Sequence, residues 1–165
     1  MHLRKLHLVV LLAAALMVVV ACQPNCTSDL ERNKLTVQRA YEEVWNQGNV
    51  DLVDELVMPD YTRHEIGDPE DTGGIEPFKA SVVAIRAAFP DLELIIEDIV
   101  AEGDRVATRS RFTGTHQGEL MGIPATNRRV DVTAFEIVRI QDGKIAEIWR
   151  MGDMTGFMQQ LGLPE

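Results

Sequence analysis

From Asn33 onward, apolar residues recur at helical spacing: Val37, Ala40, Tyr41, Val44 and Trp45 fall three and four apart, and Gly48 supplies a stop. A shorter stripe of Leu52, Val53 and Leu56 follows Asn49, which suits a helix cap, and ends before Pro59. A third stripe, Phe78, Val82, Ile85 and Phe89, starts beside Pro77, which fits a first helical turn, and closes at Pro90. Each of these helices is amphipathic and needs a partner surface. The pattern then becomes extended. Leu92 to Ala101, Arg105 to His116, Val130 to Ile140 and Ile145 to Met151 are predicted strands, with Glu102-Gly103-Asp104 and Asp142-Gly143 as turns and Gln117 to Asn127 as a longer loop. Asp60 to Ile66 predicts a short strand or extended arm. Gly67 to Gly74 is aperiodic and rich in turn residues, a loop that serves either as a lid or as a surface connection. A short helix over Met154 to Leu161 closes the chain. Three helices followed by an antiparallel meander predict one α+β domain, with the helices covering one face of a curved sheet.

Strand periodicity locates the candidate chemistry. Side chains repeat every second residue, so Ile145, Glu147, Trp149, Met151 and Asp153 are expected on one face of their strand. Val106, Thr108, Ser110, Phe112 and His116 are in phase on theirs if no bulge intervenes at Gly114. If both strands face a common hollow, a carboxylate and an imidazole meet at its mouth. Asp153 is the carboxylate of that pair, and burial would raise such a group toward the working pH of a general base. His116 is the imidazole, a candidate hydrogen-bond donor, with Gln117 as the weaker choice. Trp149 and Met151 supply apolar wall, His64 lines the hollow opposite His116, and Phe112 and Trp45 complete the expected substrate contacts. Two structural alternatives stay open: Asp153 as the N-cap of the last helix, and His116 as a hydrogen-bonded residue in a glycine-flanked turn. No local spacing supports a metal site.

The N-terminus changes the expected location. Basic residues His2, Arg4 and Lys5 precede an apolar run from Leu8 to Ala21, too short to span a membrane, and Cys22 follows Val19-Val20-Ala21. Residues 1–21 are therefore expected to be a lipoprotein-type signal peptide, 22–32 a tether and 33–165 the folded domain, with lipid on Cys22; ordinary secretion is the alternative. Cleavage would leave 144 residues and move the net charge from −10 to −12, since Arg4 and Lys5 leave and no acid does. So acidic a surface, without a basic stripe, argues against a nucleic-acid partner. Cys26 is left unpaired, so no disulfide framework is expected. Arg109 and Arg111 alternate with the hollow-facing residues and suit a solvated or dimer-facing surface.

An ordered series of short motifs carries a resemblance. Tyr41-Glu42-Glu43-Val44-Trp45-Asn46-Gln47-Gly48-Asn49, Ala88-Phe89-Pro90-Asp91, Glu102-Gly103-Asp104-Arg105-Val106-Ala107, Gly114-Thr115-His116-Gln117-Gly118, Gly122-Ile123-Pro124, and Gly143-Lys144-Ile145 followed by Trp149 and Asp153 together resemble the SnoaL-like polyketide (ester) cyclases. The resemblance implies the nuclear-transport-factor-like fold, a bent antiparallel sheet and helices forming a cone with a deep apolar cavity. It also implies an intramolecular aldol condensation without metal or organic cofactor, with Asp153 matching the family's acid–base aspartate and His116 its assisting histidine. Ala125, Thr126 and Asn127 stand where family members often carry Pro-Thr-Gly, so the substrate-facing loop is expected to differ. The implied ligand is small and apolar or aromatic, and the resemblance implies a homodimer through the outer sheet face. The scaffold also hosts proteins that only bind ligands or partners, and a non-catalytic lipoprotein is the competing reading.

Overall fold

The computed structural model describes residues 26–67 and 70–163, so the expected signal peptide and the expected lipidation at Cys22 lie outside the described residues. Helix α1 (Cys26–Arg39) runs directly into a π-helical segment, Ala40–Asn46. The helix thus starts inside the stretch expected to be a tether. Ion pairs one turn apart, Asp29 with Arg32 and Glu31 with Lys34, line this early part, and Asn33 anchors it by donating to the Gly103 carbonyl at 3.2 Å. The π segment stops at Gly48, whose φ of 76° suits glycine. Its terminal carbonyls at Trp45 and Asn46 accept from the Arg86 guanidinium at 2.9 and 2.6 Å, which satisfies groups that a helix end leaves open. A 3-10 turn (Val50–Leu52) and α2 (Val53–Leu56) follow, without a side-chain cap from Asn49. Then come β1 (Val57–Glu65), a two-residue β2 (Thr72–Gly73), α3 (Ile75–Ala88), β3 (Glu93–Glu102), β4 (Arg105–Thr115), β5 (Arg129–Gln141), β6 (Lys144–Gly152) and α4 (Met154–Leu161).

The sheet has six strands in the order β2-β1-β6-β5-β4-β3. The four long strands from β3 to β6 form the expected antiparallel meander. The sheet is nevertheless mixed, which corrects the expectation of a wholly antiparallel one: β1 lies parallel to β6, pairing His64 with Trp149 and Glu65 with Arg150. Part of the expected loop also joins the sheet, because Thr72 and Gly73 pair with Arg63 and Thr62.

Register divides the inner, helix-facing side of the sheet into layers. Val106, Val138 and Ile148 lie at one level; Thr108, Glu136, Arg150 and Glu65 at the next; then Ser110, Ala134 and Gly152; then Phe112 and Val132; and finally Gly114 and Val130. The first layer belongs to an apolar cluster with Val37, Tyr41, Val44, Tyr61 and Phe78. The last two contribute to a second cluster around Phe89, Leu120 and Leu161, and Trp45 and Leu94 pack against both. A polar layer and a layer of small side chains therefore separate two apolar clusters.

Candidate active site

His116 is held by the junction of α3 and β4. The amides of Gln117 and Gly118 donate to the Ala88 carbonyl at 2.8 and 3.1 Å, and the His116 amide donates to Arg128 at 2.9 Å. Gly118 is required at this approach, because a Cβ there would overlap the Ala87 carbonyl oxygen. Asp91 braces the strand end, its two oxygens accepting from the Thr115 amide (2.6 Å) and hydroxyl (2.8 Å). These bonds to Thr115, amide first, hold the Asp91 carboxyl below its ordinary range.

The His116 ring is fully buried and stacks on Phe89 with centroids 5.2 Å apart. Its Nδ1 accepts the Thr126 backbone N–H at 3.3 Å, and the Thr126 hydroxyl lies 3.2 Å from the same nitrogen. A neutral imidazole that accepts at Nδ1 carries its hydrogen on Nε2. That Nε2 is buried and has no partner among the described residues. Leaving such a donor unpaired costs roughly 1–3 kcal/mol, which an acceptor on a ligand would recover. Phe112 is in the same region, edge-on to Phe89 at 5.1 Å, and Phe157 of α4 completes the aromatic wall. Trp45 packs against both clusters and lies 5.7 Å from Phe78.

Asp153 has an exposed side chain at the end of β6, and its Oδ1 accepts the Gly156 N–H at 2.8 Å as the N-cap of α4. The structural alternative for this residue is thus present in the molecule. Its backbone N–H donates to Thr133 at 3.1 Å, which fixes where the cap sits.

The remaining expected contacts are placed elsewhere. Trp149 and Met151 pair with Ile137 and Phe135 on the outer side of the sheet, opposite Phe112. The expected shared face fails because the β5–β6 register shifts between Arg139 and Ile140; Ile145 stays buried inside while Glu147, Trp149 and Met151 turn outward. His64 does not line the hollow opposite His116. It stacks on Trp149 at 5.4 Å on the outer side, its Nδ1 lies 2.7 Å from Asp71 and its Nε2 lies 2.8 Å from Glu147. These bonds, that to Glu147 first, raise the His64 pKa, while His64 in turn lowers that of Glu147. Arg105 lies over the Trp149 ring at 5.3 Å. Gln117 contributes its backbone amide to the docking on α3. No group of three or more His, Cys, Asp or Glu side chains suited to a metal ion occurs among the described residues.

Sequence reasoning missed the polar layer of the inner face. The signal was available: Glu136 is a charge in phase with Val130, Val132, Ala134 and Val138 on an otherwise apolar strand face. A groove of about 260 Å³ runs between the helical segment and β3, bordered by Tyr41, Gln38, Leu94, Ile96 and Ile99.

Comparisons with known proteins agree with this architecture. The chain is 32% identical over 134 residues to the aklanonic acid methyl ester cyclase DauD of Streptomyces sp. (strain C5), covering 79% of this chain and 83% of that protein. It is 34% identical over 122 residues to the nogalonic acid methyl ester cyclase of Streptomyces nogalater, covering 73% and 90% respectively. Among solved structures, TsrD from Streptomyces laurentii superposes with a TM-score of 0.69 at 32% identity, covering 79% of this chain and 97% of TsrD. A protein of Jannaschia sp. CCS1 superposes with a TM-score of 0.74 at 28% identity, covering 82% of this chain and 95% of that one. The family profile described as SnoaL-like polyketide cyclase matches residues 35–161, and with these relatives it establishes that the chain belongs to the SnoaL-like polyketide cyclase family.

Proposed function

We propose that this protein is a cofactor-free ester cyclase that closes a ring by intramolecular aldol condensation. Asp153 at the rim takes a proton from the carbon beside a carbonyl, and the resulting enolate forms a carbon–carbon bond to a second carbonyl. The alkoxide so produced recovers the proton from Asp153. His116 donates from Nε2 to the oxygen on which charge develops. The buried Nε2–H without a partner among the described residues is the observation that carries this reading, since it is a donor oriented by the protein and left unsatisfied by those residues. Similarity to methyl ester cyclases supports an apolar, polycyclic ester as the substrate class.

Incubation with nogalonic and aklanonic acid methyl esters tests the reading. Ring closure by the wild type and a loss of about 10²–10⁴-fold in Asp153→Asn are expected. No turnover of either ester, or undiminished turnover by the variant, overturns it. Capping of α4 by Asp153 favours the competing reading of a ligand-binding domain, which the same assay separates.

Two further features belong to the proposal. The basic and apolar N-terminal run ending at Cys22 supports export and lipid anchoring. The outer sheet face, where Phe135, Ile137 and Met151 are exposed together, supports a homodimer formed through that face.

A further inference from the structure

The polar layer on the inner face is a continuous chain of contacts that the acid–base roles of Asp153 and His116 do not use. The Tyr41 hydroxyl donates to Glu136 Oε2 at 2.8 Å, and Arg150 Nε forms an ion pair with Glu136 Oε1 at 3.2 Å. Arg150 Nη1 donates to Glu65 Oε1 at 2.9 Å, and Arg63 Nη2 to Glu65 Oε2 at 2.6 Å. Two carboxylates alternate with two guanidinium groups, so the layer is formally neutral and can lie between apolar clusters. Such arrangements contribute little net stability compared with well-packed apolar residues, which makes a purely structural explanation weak.

Three observations show that solvent reaches the layer and that it presents a free donor. Side-chain exposure is 14% at Glu136, 22% at Arg150 and 26% at Glu65, intermediate values for groups on the helix-covered face. The adjoining layer is Ser110, Ala134 and Gly152, all small. The Arg150 guanidinium folds back over Gly152, where a Cβ would stand only 3.0 and 3.1 Å from Nη1 and Nη2, and Nη2 makes no hydrogen bond among the described residues. Tyr41 also comes from the π-helical segment, a geometry frequent at functional sites, and borders the groove beside β3.

We propose that Arg150 forms an oxyanion-binding site for a phenolic or enolic hydroxyl carried on an apolar ring system, with Glu136, itself held by Tyr41, setting the position of the guanidinium. The ligand O–H bond breaks and its proton passes to solvent water. The ligand oxygen keeps the electron pair and is held by Nη2 of Arg150. Return of the proton restores both partners, and no co-reactant is consumed. Tyr41 stays protonated, because burial first and the Glu136 charge second oppose its ionisation, and it remains a donor to Glu136. Glu65 and Arg63 are positioning residues that hold the guanidinium. The assignment rests on the cyclase reading in one respect, that an enolised ester would be such a ligand.

The experiment is independent of turnover. 2-Naphthol is bound to the intact protein and its ionisation followed by the naphtholate absorbance as pH is varied. The charged or titratable groups facing the site are Arg63 and Glu65 of β1, Glu136, Tyr41, and Tyr61, whose ionisation burial and the Arg63 and Glu136 charges also affect. Bound naphthol is expected to ionise at least tenfold more readily than free naphthol. Arg150→Met should abolish that shift, and Glu136→Gln should enlarge it by removing the neighbouring negative charge. If Arg150→Met fails to fold, as judged by its thermal transition, Arg150→Lys takes its place and should retain part of the shift. No saturable binding to the wild type, an unshifted bound naphthol, or a full shift in Arg150→Met overturns the proposal. A normal naphthol response without ester turnover overturns only the cyclase reading; turnover without the response overturns only this site.

Discussion

The backbone amide of Thr126 donates to Nδ1 of His116 across 3.3 Å, tying the loop after β4 to the imidazole and fixing its tautomer. The hydrogen of the neutral ring is therefore on Nε2. Nitrogen-15 NMR at a pH where the ring is neutral is expected to show a protonated Nε2 and an unprotonated Nδ1. The opposite tautomer would remove the donor on which the proposed chemistry depends.

Gly118→Ala tests how the histidine is placed. The added methyl meets the Ala87 carbonyl oxygen, a rigid backbone atom that cannot move aside as a side-chain tip would. A loss of about 1–3 kcal/mol in unfolding free energy is expected. Denaturant unfolding checks the value, and a change below a few tenths would mean that α3 and the His116 loop are not in the contact described.

Asp153 is predicted to stabilise the fold separately from any chemistry. Asp153→Ala loses the cap on α4 and should cost about 1 kcal/mol, whereas Asp153→Asn, also a good cap, should change stability little. Thermal unfolding of both variants separates capping from catalysis. Equal stability losses in the two would show that the carboxylate charge, rather than the cap, supports the helix.

The His64 cluster predicts a pH dependence on the outer face. The folded-state pKa of His64 is raised, so its contribution is fully present below the unfolded value near 6.5 and is lost as pH rises through the higher folded value. The lowered pKa of Glu147 closes the window from the acid side, its contribution disappearing as pH falls through that depressed value. The stability difference between wild type and His64→Gln should therefore be larger in mildly acidic solution, above the Glu147 range, than at alkaline pH. A difference independent of pH would show that stacking on Trp149 alone carries the interaction.

Phe135→Glu addresses the proposed homodimer. Phe135 is exposed beside Met151 and Ile137, and a carboxylate there would face its own copy across a two-fold interface. Sedimentation is expected to give a dimer for wild type and a monomer for the variant. A monomeric wild type at the same concentration would remove the dimer proposal.

Much of the framework was legible in the sequence. Apolar spacing located α1, α3 and the four long strands, and the phase of Val106, Thr108, Ser110 and Phe112 was assigned to the inner face where it lies. The other strand misled because alternation survives only until the register slips. Ile145 is inside, the shift near Arg139 and Ile140 changes parity, and Trp149 and Met151 emerge outside. The parallel pairing of β1 with β6 is equally invisible locally, since it joins segments separated by most of the domain. That pairing brings Glu65 to Arg150, so half of the polar layer could not be seen from either strand alone.

The same pairing bears on when the molecule becomes competent. Glu65 and Arg150 are 85 positions apart, and Tyr41 and Glu136 are 95 apart. Closures over such separations are entropically costly and come late in folding. The helices and the meander from β3 to β5 can form from near neighbours, but docking of β6 beside β1 needs both ends of the domain. Completion of the polar layer and the last long-range folding step are therefore expected to coincide, so that a nascent or truncated chain lacking β6 carries half a charge network and no finished pocket.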